Sequence, residues 1–204
     1  MREHTTEVEI QLEMALNSMD GLKPVALTDL KSGDQVALKR KVELETFNPS
    51  FKILNPIVGN HYYHHGIFIE PHHVIHQEWL FTDSHLTRAC KEDINELMRS
   101  ISVDGTIYKV ACDQRNSLPV DEVIKRGEEM VSAGVLEQFN IVTNNCETFA
   151  TFLKTGKRTS SQVHNVCQLV KTAAPEVYTV LRPLFNVHEL ESKISTLEEE
   201  LDLD

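Results

Sequence analysis

Long apolar runs are missing from this chain of 204 residues: no stretch of about 18 consecutive apolar residues occurs, so the sequence offers no transmembrane helix. Missing too is the pattern of a secretory leader, because Glu3, Glu7, Glu9, Glu13 and Asp20 break up the first 20 residues. Positive charge is scarce: 20 Lys and Arg stand against 31 Asp and Glu, for a net charge of −11. That balance excludes a general nucleic-acid binder, which needs a basic footprint. Cysteine is sparse and unpaired in pattern. Cys90, Cys112, Cys146 and Cys167 form no C-x-x-C, which points to free thiols in a reducing compartment and so to a cytoplasmic protein.

What is present suffices for one domain with terminal extensions, since 41% of the residues are hydrophobic. Val8, Leu12, Ala15, Leu16 and Met19 recur at helical spacing and predict an amphipathic helix over 4–19, ended by Gly21. Lys31-Ser32-Gly33-Asp34 reads as a turn leading into a strand through Leu38. A polar interval with Pro49 and Pro56 follows, to about Asn60. Residues 66–69 and 73–76 form two β-rich runs that Glu70-Pro71-His72 can join as a hairpin. Further strands are expected at 79–82 and 105–112, with a short helix over 89–99 between them. Pro119 opens a helix to about Ala133, with Asp121 and Glu122 in its first turn and Gly134 as its stop. A brief extended segment at 139–143 leads to a second helix from Cys146 to about Lys154, capped by Asn144-Asn145 and closed by Gly156. The last 45 residues are helical in pattern. Leu190, Ile194, Leu197 and Leu201 have seam-like spacing, too short to define a coiled coil.

Three features carry chemistry. Cys146 stands at a predicted helix N-terminus, where unpaired N–H groups and the helix dipole favour a thiolate and can hold an oxyanion. The competing reading is a small buried hydrophobe. Six of the ten histidines, His61, His64, His65, His72, His73 and His76, fall within 16 residues. A thiol nucleophile needs an imidazole as base and a further group to orient it. If the two β-runs pair antiparallel, His76 comes near His64, and both partners are supplied. No H-E-x-x-H or cysteine-pair spacing supports a metal site, so none is expected, and His61, His72 and His73 read as surface residues. Finally, no acid lies between Thr148 and Pro175, while Lys154, Lys157, Arg158 and Lys171 do. Such a run can face anionic headgroups, or can simply complement helix C-termini.

Asn145-Cys146-Glu147-Thr148-Phe149 resembles the N-C-E-x-F box of the lecithin:retinol acyltransferase-like proteins, relatives of the NlpC-type cell-wall peptidases. The similarity extends over Pro119–Ile124, Phe139–Glu147, Lys154-Thr155-Gly156 and Ser160–Val163, and takes in the Gly33-Asp34 turn. The family's histidine pattern is a histidine, a variable residue, a small residue and three strand formers, with a second histidine twelve positions on. His64, Gly66, Ile67-Phe68-Ile69 and His76 fit it. The resemblance thus selects His64 as base, with His65 as the fallback, and His76 as orienter.

The resemblance implies an α+β fold of permuted papain-like type, an antiparallel sheet bearing the histidines packed on the helix bearing Cys146. The layout it implies is an amphipathic helix over 1–22, a catalytic domain over 23–168 and a helical acidic tail over 169–204. It implies transfer of a fatty acyl group from a glycerophospholipid to Cys146 as a thioester, then to water, an amine or an alcohol, without a cofactor. Two alternatives stand beside this: a cysteine peptidase or amidase, and a non-catalytic interaction protein. Family members commonly have a hydrophobic C-terminal anchor, which the amphipathic segment 164–204 does not match. Peripheral membrane contact through the basic run, and partner binding or self-association through the terminal helices, are the interactions expected.

Overall fold

The computed structural model describes residues 21–41, 61–80, 86–112, 114–140, 143–165 and 171. The helix expected over 4–19, the polar interval before Asn60 and the acidic tail lie outside the described residues. Seven strands form one antiparallel sheet: β1 (Leu22–Val25), β2 (Gln35–Lys41), β3 (His61–Ile69), β4 (His73–Trp79), β5 (Leu86–Asp93), β6 (Ser102–Val110) and β7 (Leu136–Gln138). Their spatial order is β1-β6-β2-β3-β4-β5-β7. Among the described residues, helices α1 (Ile94–Ile101), α2 (Val120–Ala133) and α3 (Cys146–Thr155) pack on the sheet. The mixed antiparallel α+β architecture is the one the sequence implied.

Side-chain alternation along the strands separates two cores. On one face Val36, Leu38, Phe68, Val74 and Ile107 pack with Ile94 and Leu97 of α1. On the other, Ile67, Ile69 and Ile75 pack with Val123 of α2 and with Phe149, Ala150 and Leu153 of α3. The central strands β3 and β4 are therefore apolar in both phases, as strands covered on two sides must be. Pro24 sits in the edge strand β1, where its missing N–H is tolerated.

The helix expected over 89–99 is in fact a strand followed by a helix. Residues 86–93 form β5, paired with β4 along Thr87–Asp93, and the helix starts only at Ile94. The run Lys91-Glu92-Asp93 is polar enough to look like a helix surface, but pairing with β4 overrides local preference. Asp93 sets the true boundary, accepting hydrogen bonds from the N–H groups of Asn95 at 2.8 Å and Glu96 at 3.4 Å. Helices α2 and α3 match their sequence-predicted spans within a residue or so, each stopped by a left-handed glycine, Gly134 (φ 57°) and Gly156 (φ 81°).

One feature of the sheet positions everything that follows. Strands β3 and β4 pair only over Gly66–Ile69 against His73–His76. Beyond that, His61–His65 pairs with β2 alone and Gln77–Trp79 with β5 alone. The sheet opens between them.

Gly66 stands at the mouth of this opening, where the strands are tightest. A Cβ there would lie 2.5 Å from Val74 Cγ2, 2.9 Å from the Ile75 carbonyl oxygen and 3.1 Å from His76 Cβ. Because a backbone oxygen cannot step aside, Gly66→Ala should lower the unfolding free energy by about 2–3 kcal/mol, the upper range for overpacking. Urea unfolding of the two proteins reads this directly. A loss under about 0.5 kcal/mol would mean that β3 and β4 separate easily at this pair.

Candidate active site

Helix α3 delivers Cys146 to the opening. Asn145 caps it through a reciprocal box: its side-chain oxygen accepts from the N–H groups of Glu147 and Thr148, both at 2.9 Å, and Thr148 Oγ1 accepts from Asn145 N–H at 2.8 Å. The cap thereby takes two first-turn donors and leaves the N–H of Cys146 itself for an incoming oxygen. Cys146 Sγ lies 3.8 Å from the Tyr63 carbonyl oxygen and is hydrogen-bonded by the His65 backbone. These are the two residues flanking His64, and their backbone groups face the opening because β4 is not there to pair with them.

Burial is the main influence on the thiol, raising its pKa to about 11. The His65 backbone hydrogen bond and the Arg40 charge oppose it, and the Glu147 charge adds to it. Burial of the sulfur thus acts against the favourable field of the helix N-terminus. Desolvation of a fully enclosed sulfur outweighs one turn of helix dipole. His64 is likewise driven neutral: burial first, then the charges of His76, Arg40 and His65, hold its pKa well below 6.5. Burial thus favours the uncharged form of both groups.

From His64 a hydrogen-bonded chain runs outward across the sheet. His64 Nε2 lies 3.0 Å from His76 Nδ1, and His76 Nε2 lies 3.0 Å from Glu92 Oε2. Glu92 is 46% exposed while His76 is 3% exposed, so the chain links a buried ring to a solvated carboxylate. The His76 hydrogen bond is the main cause of the lowered pKa of Glu92. With one proton on each ring, the hydrogen bonds imply one arrangement of tautomers. His76 donates from Nε2 to the carboxylate and accepts at Nδ1 from His64 Nε2–H, leaving His64 Nδ1 as a lone pair. Cys90 lies opposite His76 on β5, with its Sγ 3.2 Å from His76 Nε2.

His65 points to the other face and is engaged there. Its Nδ1 meets the Gln35 amide at 3.2 Å and its Nε2 meets the Gln162 amide at 3.0 Å, with the ring fully buried. The structure thus ties His64 to His76 and sets the Cys146 thiol against the backbone of the residues flanking His64, while the His65 ring is held by two amides. His72 stacks on His73 and pairs with Asp93 at 3.4 Å, outside this cluster.

Four residues escaped the sequence reading. Glu92 lay in a segment read as helix, so its place beside His76 was hidden. Arg40 faces Tyr62 across β2 and β3, and its charge acts on both Cys146 and His64. Burial strongly raises the Tyr62 pKa, and Cys146 adds to it. Gln162 fills the missing strand's role: Tyr63 N–H donates to its Oε1 at 3.0 Å and its Nε2 donates to Tyr63 O at 3.1 Å. Glu147 holds Gln162 in place, accepting from the N–H groups of Ser161 at 2.9 Å and Gln162 at 3.1 Å, and from Ser160 Oγ. The signal for this clasp was the Ser160-Ser161-Gln162 string itself, which had no assigned role.

In the basic run, Lys154 donates to Gly33 O at 2.7 Å, while Arg158 pairs with Glu137 at 3.1 Å and donates to Asn144 at 2.9 Å. Both therefore have work within the fold. No helix among the described residues is long and apolar enough to cross a membrane.

A family model described as lecithin retinol acyltransferase matches residues 28–159, well over half of the chain. Among curated proteins, phospholipase A and acyltransferase 1 of Homo sapiens is 39% identical over 66 residues, which is 31% of this chain. The matched stretch spans 38% of that relative's length.

The clasp made by Glu147 yields a direct expectation. Glu147→Ala removes a buried acceptor and strands the Ser161 and Gln162 N–H groups, so unfolding should become easier by about 2–4 kcal/mol. Urea unfolding measures it, and a cost below about 1 kcal/mol would show that water replaces the carboxylate without loss.

Proposed function

The chain belongs to the lecithin retinol acyltransferase family, and we propose that it is a thiol-dependent acyltransferase and phospholipase A acting on glycerophospholipids through an acyl-cysteine intermediate. The observation that carries this reading is the Cys146 thiol lodged between the residues flanking His64, whose ring is tied at 3.0 Å to His76. The name of the human relative, phospholipase A and acyltransferase 1, supports the substrate class.

In this mechanism the Cys146 sulfur attacks the ester carbonyl carbon while its proton passes to His64 Nδ1. Neither partner is charged beforehand, so proton transfer and attack proceed together. The new imidazolium is stabilised by donating from Nε2 to His76, which in turn donates to Glu92. Developing charge on the carbonyl oxygen faces the Cys146 N–H, with the Arg40 guanidinium as the nearby positive charge. Collapse breaks the ester C–O bond, and His64 returns its proton to the departing lysolipid hydroxyl. The acyl group now rests on Cys146 as a thioester. Water, an amine or an alcohol then attacks it, with His64 again taking the proton, and the free thiol is restored. The steps need no cofactor. Contact with anionic headgroups through the basic run of Lys154, Lys157, Arg158 and Lys171 would bring the opening to a lipid surface.

The test is intact-protein mass spectrometry after incubation with a phosphatidylcholine, on wild type and Cys146→Ser side by side. A fatty-acyl mass increment on wild type alone is the expected result. No increment and no lysolipid would overturn the lipid reading and bring forward peptide or amide substrates.

The pH profile checks the protonation states. Because burial lowers the His64 pKa and raises that of Cys146 to about 11, the competent neutral pair persists across neutral pH. Activity, read as kcat/KM, should fall only below 6.5, as His64 gains a proton, and hold level to at least about pH 9. A decline beginning near pH 8 would instead mark a preformed thiolate–imidazolium pair losing its proton.

A further inference from the structure

We propose that His76, Cys90 and Glu92 form a binding site for a thiophilic divalent cation such as zinc, and that its occupation switches off the neighbouring thiol chemistry. The off-switch rests on the reading of His64 as base, whereas the binding site stands without it.

The donor atoms of the three side chains lie within 4.8 Å of one another. They come from one face of the β4–β5 ladder: His76 and Cys90 are directly paired, and Glu92 is the diagonal neighbour of His76. Antiparallel pairing fixes such neighbours at side-chain contact distance. One imidazole nitrogen, one sulfur and one carboxylate oxygen make a borderline-soft donor set suited to zinc, with the fourth tetrahedral position left for water. The present separations are 3.2 Å from Sγ to Nε2 and 3.0 Å from Nε2 to Oε2. Zinc bond lengths call for edges of about 3.5 Å, so these two need to widen by only a few tenths of an ångström. One side chain must also turn. Sγ is 3.9 Å from Nδ1 as well as 3.2 Å from Nε2, which puts it over the ring rather than on the Nε2 lone-pair axis. Rotation of the half-buried Cys90 about χ1 is the adjustment required.

The surroundings of Cys90 hold it as a thiol. Burial raises the Cys90 pKa to about 12, and the charges of Glu78 and Glu92 raise it further, against Arg88. The thiol is thus protonated until a cation displaces its proton, and binding releases one proton per ion.

The consequence for the nucleophile follows from proton counting on two rings. A metal on His76 Nε2 takes that lone pair, so the ring's one proton must sit on Nδ1. Nδ1–H then donates to His64 Nε2, which obliges His64 to carry its own proton on Nδ1. No proton is gained or lost by the pair, yet the lone pair that would accept the Cys146 proton has gone.

Cobalt titration of chelator-treated protein tests the site. With Cys146→Ser as background, one equivalent of cobalt should produce a thiolate-to-cobalt charge-transfer band. Adding Cys90→Ser should abolish it, and adding Glu92→Gln should weaken binding at least tenfold, with circular dichroism melts establishing that each variant is folded. A band that survives without Cys90, or that requires Cys146, overturns the site. Should the Cys90 variant fail to fold, unchanged cobalt affinity in the Glu92 variant overturns it equally. Turnover of phosphatidylcholine with and without zinc tests the switch as a ratio. A more than tenfold loss in wild type, reversed by chelator, is expected, against a ratio near one for Cys90→Ser. Cobalt bound at Cys90 with turnover unaffected by zinc overturns the switch. Absence of any lipid turnover would count against the proposed activity and leave the cobalt result standing.

Discussion

Strands β3 and β4 stay together for four pairs, Gly66–Ile69 against His73–His76, and then part. An antiparallel sheet interrupted in this way exposes main-chain groups that must find other partners or remain costly. Here the partners are not water. The Gln162 side chain takes both the N–H and the carbonyl of Tyr63, and Cys146 lies against the same carbonyl and the His65 backbone. The gap in the sheet is therefore filled by an amide and a thiol, and the site exists because the ladder stops. Gly66 is the last paired residue of β3 before the gap, and no larger residue fits there between Val74 and the Ile75 carbonyl.

That geometry is what the proposed mechanism requires of residues on opposite faces of a sheet. His64, His76, Cys90 and Glu92 occupy the face covered by α1, whereas α3 packs on the other face with Phe149, Ala150 and Leu153. A continuous sheet would separate them by its own thickness. With the strands apart, the N-terminus of α3 reaches the plane of the sheet and presents its first residue beside β3. The N-C-E triplet then has a physical reading. Asn145 caps the helix, Cys146 enters the gap, and Glu147 anchors the Gln162 clasp that lines it.

Much of this was legible in the residues, and the exceptions share a cause. Helices α2 and α3 have strong local signals at both ends, Pro119 with early acids, the Asn145 cap and two glycine stops, so sequence alone places them. The histidine spacing put His64 beside His76 because a strand-turn-strand pattern fixes which residues come side by side. Glu92 was not legible. Its strand is polar on one side and is a strand only through its pairing with β4, a contact distant in sequence. The same holds for Arg40, whose influence on Cys146 depends on the register of β2 against β3. The environment of the thiol divides in the same way: the helix dipole is a local property visible in a motif, while the burial that opposes it is a property of the whole fold.

In the mechanism we propose, a neutral resting state constrains the chemistry more than a preformed ion pair would. An ion pair buried at this site would need solvation that the surroundings lack, and leaving either charge alone there would be costlier still. Keeping both groups neutral removes that cost in the resting protein and postpones charge separation to the moment of attack. At that point His76 and Glu92 offer the imidazolium a route to a carboxylate that is already ionised and nearly half exposed. Solvent thus stabilises the positive end of the reaction through two hydrogen bonds while the nucleophile stays dry. The same exposure makes Glu92 and Cys90 the point at which outside ions can reach the chain without entering the gap.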